Sequence, residues 1–523
     1  MDVNWIVDSP FSRLPVGHPD TVALSMNGTS SFTYRELRAR RNAWIDVLVR
    51  RGVTHGDRVG ILLLNSLDYI ALYFAIARIG AVVVRVNFRL TSPELQYLLS
   101  DAGCTVVIAH TSLSPQIAPI RGDVPVTHWL AVDDGTPTPD WAEDPQLDAA
   151  SELDTDLPRP SGSDLLMLMY TSGTTGSPKG VMWSHDNALW LASIQSVKWQ
   201  YSPDIWMTTG PLYHAGAFEV LLLPTLFRHG TAVFMSSGGM STDKIVDAIR
   251  ASGASHVLLY PFMLYDVLRS SAKQSDLPSL KAILCGGDPV QQWALEASTE
   301  HFPDVEIHQG YGLTEGGTGS TCLDHEDRLK HAGSVGRPMP LTEVITADDD
   351  GRPSAPGEVG EVWVRSPTVA QGYWGKPEAT AETFVDGWCR TGDLGRITED
   401  GFLVITGRAK DMIRSGGENI YPAEVESVLS AHPSIASIAV VGVADERYIE
   451  VGCAVIVAAT DARVDEALRE ELAGFARANL AGYKRPKHWV FVDELPVNAA
   501  GKVQKHLLRE SYADIGRNAS TPR

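Results

Sequence analysis

One stretch gathers the residue types that handle phosphate. Tyr170-Thr171-Ser172-Gly173-Thr174-Thr175-Gly176-Ser177-Pro178-Lys179-Gly180 combines glycines, hydroxyl side chains and a lysine. Glycines let backbone N–H groups approach a ligand closely, hydroxyls add donors, and the lysine adds a mobile positive charge. That combination suits a triphosphate, although a Ser/Gly surface loop shares the composition. It is not a Walker loop, because no G-x-x-x-x-G-K-[ST] string is present. Two further short strands also end in glycine loops. Ala282–Cys285 leads into Gly286-Gly287-Asp288-Pro289, and Glu306–Gln309 into Gly310-Tyr311-Gly312-Leu313-Thr314-Glu315. Ligands gather at the carboxyl ends of parallel strands, so the three loops could share one cleft.

Those loops need a scaffold, and the pattern around them supplies one. Thr33-Tyr34-Arg35-Glu36 is a capping box opening a helix that ends before Gly52. Val59–Leu64 reads as a strand, Tyr69–Ile79 as a helix, Ala81–Val86 as a strand. Thr91-Ser92-Pro93-Glu94 opens another helix, and Thr105–Ala109 is a strand again. Strands alternating with helices predict a parallel sheet. Leu165–Tyr170, just before the glycine-rich stretch, is a buried strand, reached through a polar surface connection over 134–163. From Gly357 short β segments take over. Helix 424–432, strands near 435–443 and 451–459, and helix 464–480 then form a compact α+β unit. Trp183, Trp190, Trp199 and Trp206 recur at near-helical spacing, which predicts a packed helical stripe or the wall of a broad pocket.

Composition narrows the function. At 523 residues the chain holds more than one domain. Its formal net charge of −20 argues against a nucleic-acid partner. Five dispersed cysteines without a C-x-x-C pair fit a reducing, cytoplasmic setting rather than a disulfide framework or zinc finger. The N-terminus lacks the pattern of a secretion signal. The most membrane-like stretch, 69–84, is short and interrupted by Arg78 and Gly80, so no transmembrane segment is expected.

YTSGTTGSPKG (170–180), GYGLTE (310–315), RTGDL (390–394), GRAKDMIRSGGENIYPAEVE (407–426) and PVNAAGKVQK (496–505) stand in the order found in adenylate-forming enzymes. The chain resembles their acyl-CoA synthetases from FTYREL (32–37) to the last lysine motif. The resemblance implies an α/β fold. A large N-terminal domain of parallel-rich sheets with a β-rich subdomain spans 1–408, and a small mobile α+β lid spans 409–523. It also implies two steps. A small-molecule carboxylic acid and ATP give acyl-AMP and pyrophosphate, then coenzyme A takes the acyl group and AMP leaves. Both steps build charge on oxygen, where fixed donors and cations act.

Roles follow residue by residue from the same resemblance. Thr171, Ser172, Gly173, Thr174, Thr175, Gly176 and Lys179 would wrap the β- and γ-phosphates. Thr314 and Glu315 would face the α-phosphate, with Glu315 holding Mg²⁺, a cation that prefers oxygen ligands. Gly287, Asp288, Pro289, Gln309, Gly310, Tyr311 and Gly312 would bind the cofactor, with Asp288 beside the adenine and Tyr311 stacked on it. Asp393 and Arg408 would hold the ribose. Lys502 would lie over the α-phosphate and the substrate carboxylate. Lys410 would be the lid hinge, and Ser415, Gly416, Gly417 and Glu418 would line the pantetheine path. His214, in PLYHAGA (211–217), would gate the acyl site or touch the reacting carboxylate, and Gly286, Gly310, Gly316 and Gly317 would border the acyl pocket. Blander readings exist: a turn aspartate for Asp393, a helix N-terminal charge for Glu315, a core histidine for His214, a packing aromatic for Tyr311.

Two positions depart from the family pattern. Asp288 stands where a small residue is usual, and Arg85 where proline is usual. A carboxylate near the nucleotide could repel the α-phosphate, so a thioester-forming member with impaired adenylation is one alternative. A stand-alone adenylation enzyme loading a carrier protein is another. Against it, the 211–218 segment has no carboxylate for a substrate amine, and Glu219 falls in an apolar run. An uncharged acid follows: fatty, aryl, or bulky cyclic and terpenoid. Monomer and homodimer both remain open.

Overall fold

The computed structural model describes residues 19–147, 157–171, 178–199, 204–287, 290–348, 350–415, 418–445, 447–460, 462–497, 503–513 and 515. It divides into two compact units. The first comprises the chain up to Val344 together with Val364–Thr391, and the second comprises Ile345–Trp363 with the chain from Gly392 onward. The strands Gly360–Arg365 and Trp388–Ile397 each run from one unit into the other.

Two sheets dominate the first unit. Among the described residues, the seven-stranded sheet has the order Gly372–Tyr373, Lys179–Ser184, Leu165–Thr171, Val82–Arg85, Arg58–Leu62, Val106–His110, His128–Val132. Its last five strands run parallel to one another. The nine-stranded sheet includes the parallel run Thr231–Phe234, Ile205–Thr208, His256–Leu259, Ala282–Gly286, Glu306–Tyr311. Helix Tyr34–Arg50 begins at the predicted box, with the Glu36 carboxylate accepting from Thr33 N at 2.7 Å. Helix Leu67–Ile79 is buried on every face. It shares a core with Leu24 and Phe234 of one sheet and Ile61 and Met167 of the other. An all-apolar surface is what a helix between two sheets requires, and this accounts for the membrane-like composition of 69–84. No helix among the described residues is long and apolar enough to cross a membrane. All five cysteines are free and buried.

The tryptophan spacing misled. Only Trp190 and Trp199 lie on the helix His185–Trp199. Trp183 sits on the strand Lys179–Ser184 and Trp206 on Ile205–Thr208, so the four do not form one helical stripe. A recurrence near seven is met by chance when short elements alternate.

The second unit carries an α+β fold. Strands Glu418–Ile420, Ile413–Ser415, Ile449–Ala458 and Ile435–Asp445 form a sheet, with His488–Phe491 added parallel to Ile449–Ala458. Alternate residues of the long hairpin face two cores. Val440, Ala454 and Ile456 meet helices Pro422–Leu429 and Glu466–Asn479, while Val441, Cys453 and Val455 meet Leu508.

His185, which opens the helix after Lys179–Ser184, is 1% exposed and neither ring nitrogen has a hydrogen-bond partner. Burial pushes it down from 6.5 to about 4. The folded state therefore excludes a proton that the unfolded state takes up. Its stabilising contribution is complete above pH 6.5 and is lost as the pH falls toward about 4, by up to ~1.4 kcal/mol per pH unit. Urea midpoints at about pH 7 and about pH 4.5 should differ less in His185→Leu than in the native chain; an unchanged difference would remove this assignment.

Candidate active site

The glycine-rich stretch joins two antiparallel strands rather than a strand and a helix. Thr171 closes Leu165–Thr171, Lys179 opens Lys179–Ser184, and the two residues are register partners. A hairpin thus presents the hydroxyl and the ammonium from facing strands. The first strand is central and buried, so the sequence fixes its length by where apolar residues stop. Thr171 Oγ1 donates to Glu315 Oε1 at 3.1 Å, and the Tyr373 hydroxyl donates to the same oxygen at 3.1 Å. Lys179 Nζ stands 4.9 Å from the Tyr373 ring centre. Burial raises the Tyr373 phenol, and the Glu315 charge adds to the shift, so the tyrosine stays a donor. Sequence reasoning missed Tyr373; its only signal was an aromatic with a polar tip between the turn residues Gly372 and Gly375.

Glu315 and Thr314 sit in a loop clamped from outside. The Thr314 carbonyl accepts from Trp183 Nε1 at 2.9 Å, and the Glu315 carbonyl from Ala370 N at 3.0 Å. Gly317 has φ +90°, and a Cβ there would lie 2.1 Å from Thr368 Oγ1, so only glycine fits. Thr171, Lys179, Thr314 and Glu315 are therefore brought together, and Glu315 Oε1 is oriented by two hydroxyls. Gly286 and Gly310 are neighbours across parallel strands, with Gly287 and Gly312 exposed at the strand ends. Tyr311, between those glycines, is half-buried. The Gln309 amide is committed to structure: its Oε1 accepts from Val290 N at 3.1 Å and its Nε2 donates to Ser334 O at 3.5 Å.

The PLYHAGA segment is held by buried polar groups from the seven-stranded side. Asn65 accepts from Leu212 N at 2.8 Å and donates to Gly210 O and Met235 O at 3.1 and 2.8 Å. Arg85 donates to the Leu212 carbonyl. His214 is half-buried, and its Nδ1 accepts from Gly216 N at 3.2 Å. With Nδ1 accepting from a backbone N–H, the neutral ring carries its proton on Nε2.

Arg85 and Glu219 form an ion pair with both side chains fully buried, Nη1 to Oε1 at 2.5 Å. The guanidinium also lies 4.8 Å from the Phe218 ring centre and 3.4 Å from the Tyr69 hydroxyl. Burial pushes the Glu219 carboxyl up, and the guanidinium offsets part of that rise. The family departure at Arg85 and the odd carboxylate at 219 are thus one feature, and Glu219 is not left over for a substrate.

In the second unit, Asp393 and Arg408 are register partners on adjacent strands. Arg408 Nε meets Asp393 Oδ1 at 2.6 Å, and the carboxylate is 5% exposed. Lys410 lies in the turn Ala409–Asp411, where burial lowers its ammonium, Asp411 opposes that, and Arg408 adds to it. Asp411 is paired with Arg509. Ser415 and Glu418 face each other across a tight hairpin. Ser172, Gly173, Thr174, Thr175, Gly176, Asp288, Pro289, Gly416, Gly417 and Lys502 lie outside the described residues.

The AMP-binding enzyme family matches residues 11–374, and the AMP-binding enzyme C-terminal domain matches 424–502. The chain belongs to the AMP-binding, adenylate-forming enzymes. It is 39% identical over 497 residues to a feruloyl-CoA synthase of Amycolatopsis sp, covering 94% of this chain and 96% of that one. It is 36% identical over 489 residues to the long-chain-fatty-acid–CoA ligase FadD13 of Mycobacterium tuberculosis, covering 92% and 93%. Among solved structures, ATP-bound MatB from Rhodopseudomonas palustris superposes with a TM-score of 0.88 at 32% identity, covering 99% of this chain and all of that one (100%). As an acyl-CoA synthetase of this family, the chain is an ATP-dependent, AMP-forming acid–thiol ligase.

In this adenylate-forming enzyme the buried pair should behave as one unit. Arg85→Met alone strands a buried carboxylate and should cost roughly 3–5 kcal/mol, whereas Arg85→Met with Glu219→Leu should recover most of it. Urea unfolding of both variants tests this; additive losses would show that the two charges do not couple.

Proposed function

We propose that this ligase activates a hydrophobic carboxylic acid with an uncharged tail, of the fatty, aryl or bulky cyclic class. One observation carries the reading. Glu219, the carboxylate that follows the PLYHAGA segment in the chain, is neutralised by Arg85 in the core, so it is not available to hold a substrate amine. Relatives named for ferulate and for long-chain fatty acids support the same class.

In the first step an acid oxygen attacks the α-phosphorus of ATP and pyrophosphate leaves. In the second, the thiol sulfur of coenzyme A attacks the acyl carbon and AMP leaves. Lys179 and the hydroxyls beginning at Thr171 would bind the departing pyrophosphate. Asp393, aligned by Arg408, would accept the ribose hydroxyls. The His214 Nε2–H would donate to the acid's carboxylate. Lys502 would neutralise charge between that carboxylate and the α-phosphate. Glu315 suits Mg²⁺: one oxygen is fixed by two hydroxyls, and the carboxylate's second oxygen would take the cation. A bound Mg²⁺ would supply charge neutralisation at the phosphates. The segment after Arg408 would act as a lid turning at Lys410, with Ser415–Glu418 reaching the pantetheine arm in the second state.

Coenzyme-A-dependent AMP release from fatty, aryl, polycyclic and amino acids tests the substrate class. Amino acids outperforming every apolar acid would overturn it. ATP–pyrophosphate exchange with the active acid separates a full ligase from a thioester-forming member. Lys502→Ala should slow adenylation ~10²-fold or more, as loss of one transition-state donor does, and spare thioester formation from supplied acyl-AMP. Equal loss in both half-reactions would count against that role.

A further inference from the structure

The nine-stranded sheet carries a second cluster of ligating groups at the opposite end of the strands from the candidate active site. A cavity of about 350 Å³ opens beside Ala282 and Glu306, the first residues of two parallel strands, and is lined by Lys198, Trp199, His256, His308 and Asp324. The active-site loops leave the other ends of those strands, so this is a separate place.

His308, Cys322 and Asp324 each direct one donor atom into a common volume, all within 4.8 Å of one another. The register explains why. Gly310 pairs with Cys322 across antiparallel strands. His308 and Asp324 lie two residues farther along each arm, on the same face of the hairpin. His308 is 7% exposed, and its Nδ1 has no hydrogen-bond partner although Asp324 Oδ1 lies 3.4 Å away. Its other nitrogen, Nε2, meets Glu306 Oε2 at 3.0 Å. A carboxylate on the far side of an imidazole is the arrangement that orients a metal-ligating histidine. Cys322 Sγ lies 3.7 Å from Asp324 Oδ1. Lys198 Nζ occupies the other oxygen, Oδ2, at 2.7 Å.

We propose that His308 Nδ1, Cys322 Sγ and Asp324 Oδ1 form a binding site for a borderline-soft divalent cation of the Zn²⁺ class, with water from the cavity as fourth ligand. Mixed nitrogen, sulfur and carboxylate donors at tetrahedral number suit Zn²⁺ or Co²⁺ and not Mg²⁺. Binding exchanges the Cys322 thiol proton, released to solvent, for the metal–sulfur bond. Charge then balances: Asp324, Glu306 and the thiolate against Lys198 leave two negative charges for the dication. The ion would staple the base of the hairpin whose tip, Gly312–Ser320, carries Thr314 and Glu315. The site would thereby act on the nucleotide loop by holding its stem, without touching substrate.

Co²⁺ alone, titrated into the metal-free full-length enzyme without ATP, tests this. One equivalent should bind with a thiolate-to-cobalt charge-transfer band in the near ultraviolet, and Zn²⁺ should displace it. Cys322→Ser should abolish the band. Glu306→Gln, at an exposed position, keeps the fold and should weaken Co²⁺ binding about 10-fold with the band intact. Zn²⁺ should raise the melting temperature of the native chain and not of Cys322→Ser. Absence of the band in the native chain, a band that survives Cys322→Ser, or unchanged affinity in Glu306→Gln overturns the proposal.

Discussion

A guanidinium and a carboxylate with no access to water each lose several kcal/mol of hydration, and only a partner inside the protein can offset that. Arg85 and Glu219 meet this constraint for each other, and the surrounding architecture follows from it. Arg85 ends a strand of the seven-stranded sheet, while Glu219 lies beyond the nine-stranded sheet's strand Ile205–Thr208. Their contact therefore ties the two sheets together at the level where strands give way to loops. The same guanidinium takes the Leu212 carbonyl, and Asn65 takes the Leu212 N–H. The position of His214 is set by these buried groups, all supplied from more than a hundred residues earlier in the chain.

Phosphate sites are often built on a helix N-terminus, where aligned N–H groups present partial positive charge. Here the strand with Thr171 returns directly as the strand with Lys179. The side chains at the two strand ends are placed by cross-links between distant segments. Glu315 is the junction of those links, tied to Thr171 and to Tyr373. The loop that carries it hangs from a hairpin whose far end holds His308, Cys322 and Asp324. Both ends of one short β element thus concentrate polar groups, hard oxygen donors at the tip and softer donors at the stem.

Much of the scaffold was legible because it rests on local rules. The boxes at Thr33 and Thr91 are realised, with Glu36 and Glu94 accepting from the capping residues' N–H groups. Strand positions at 59–64, 81–86 and 105–109 agree within two residues, since apolar runs bounded by glycine and charge leave little choice. Compactness places the division near Gly392 and adds Ile345–Trp363 to the C-terminal unit. The motif order points instead to a boundary after Arg408, a reading that rests on the family resemblance and not on packing. The tryptophan stripe failed because periodicity carries no information on where one element ends and the next begins. Tyr373 escaped notice because nothing local to Gly372-Tyr373 announces a hydroxyl aimed at Glu315.

Sequence alone determined the family and the two-step ligation, because the motifs that carry them are contiguous and each has its own chemistry. It also determined the secondary elements, whose periods and caps are encoded within a few residues. The tertiary structure decided what contiguity cannot express: that Arg85 and Glu219 cancel, that Glu315 is oriented by Thr171 and Tyr373, and that His308 opposes Cys322 and Asp324. Each of these is a long-range pairing fixed by sheet order and register. Two charges far apart in the chain read as anomalies until the fold places them 2.5 Å apart.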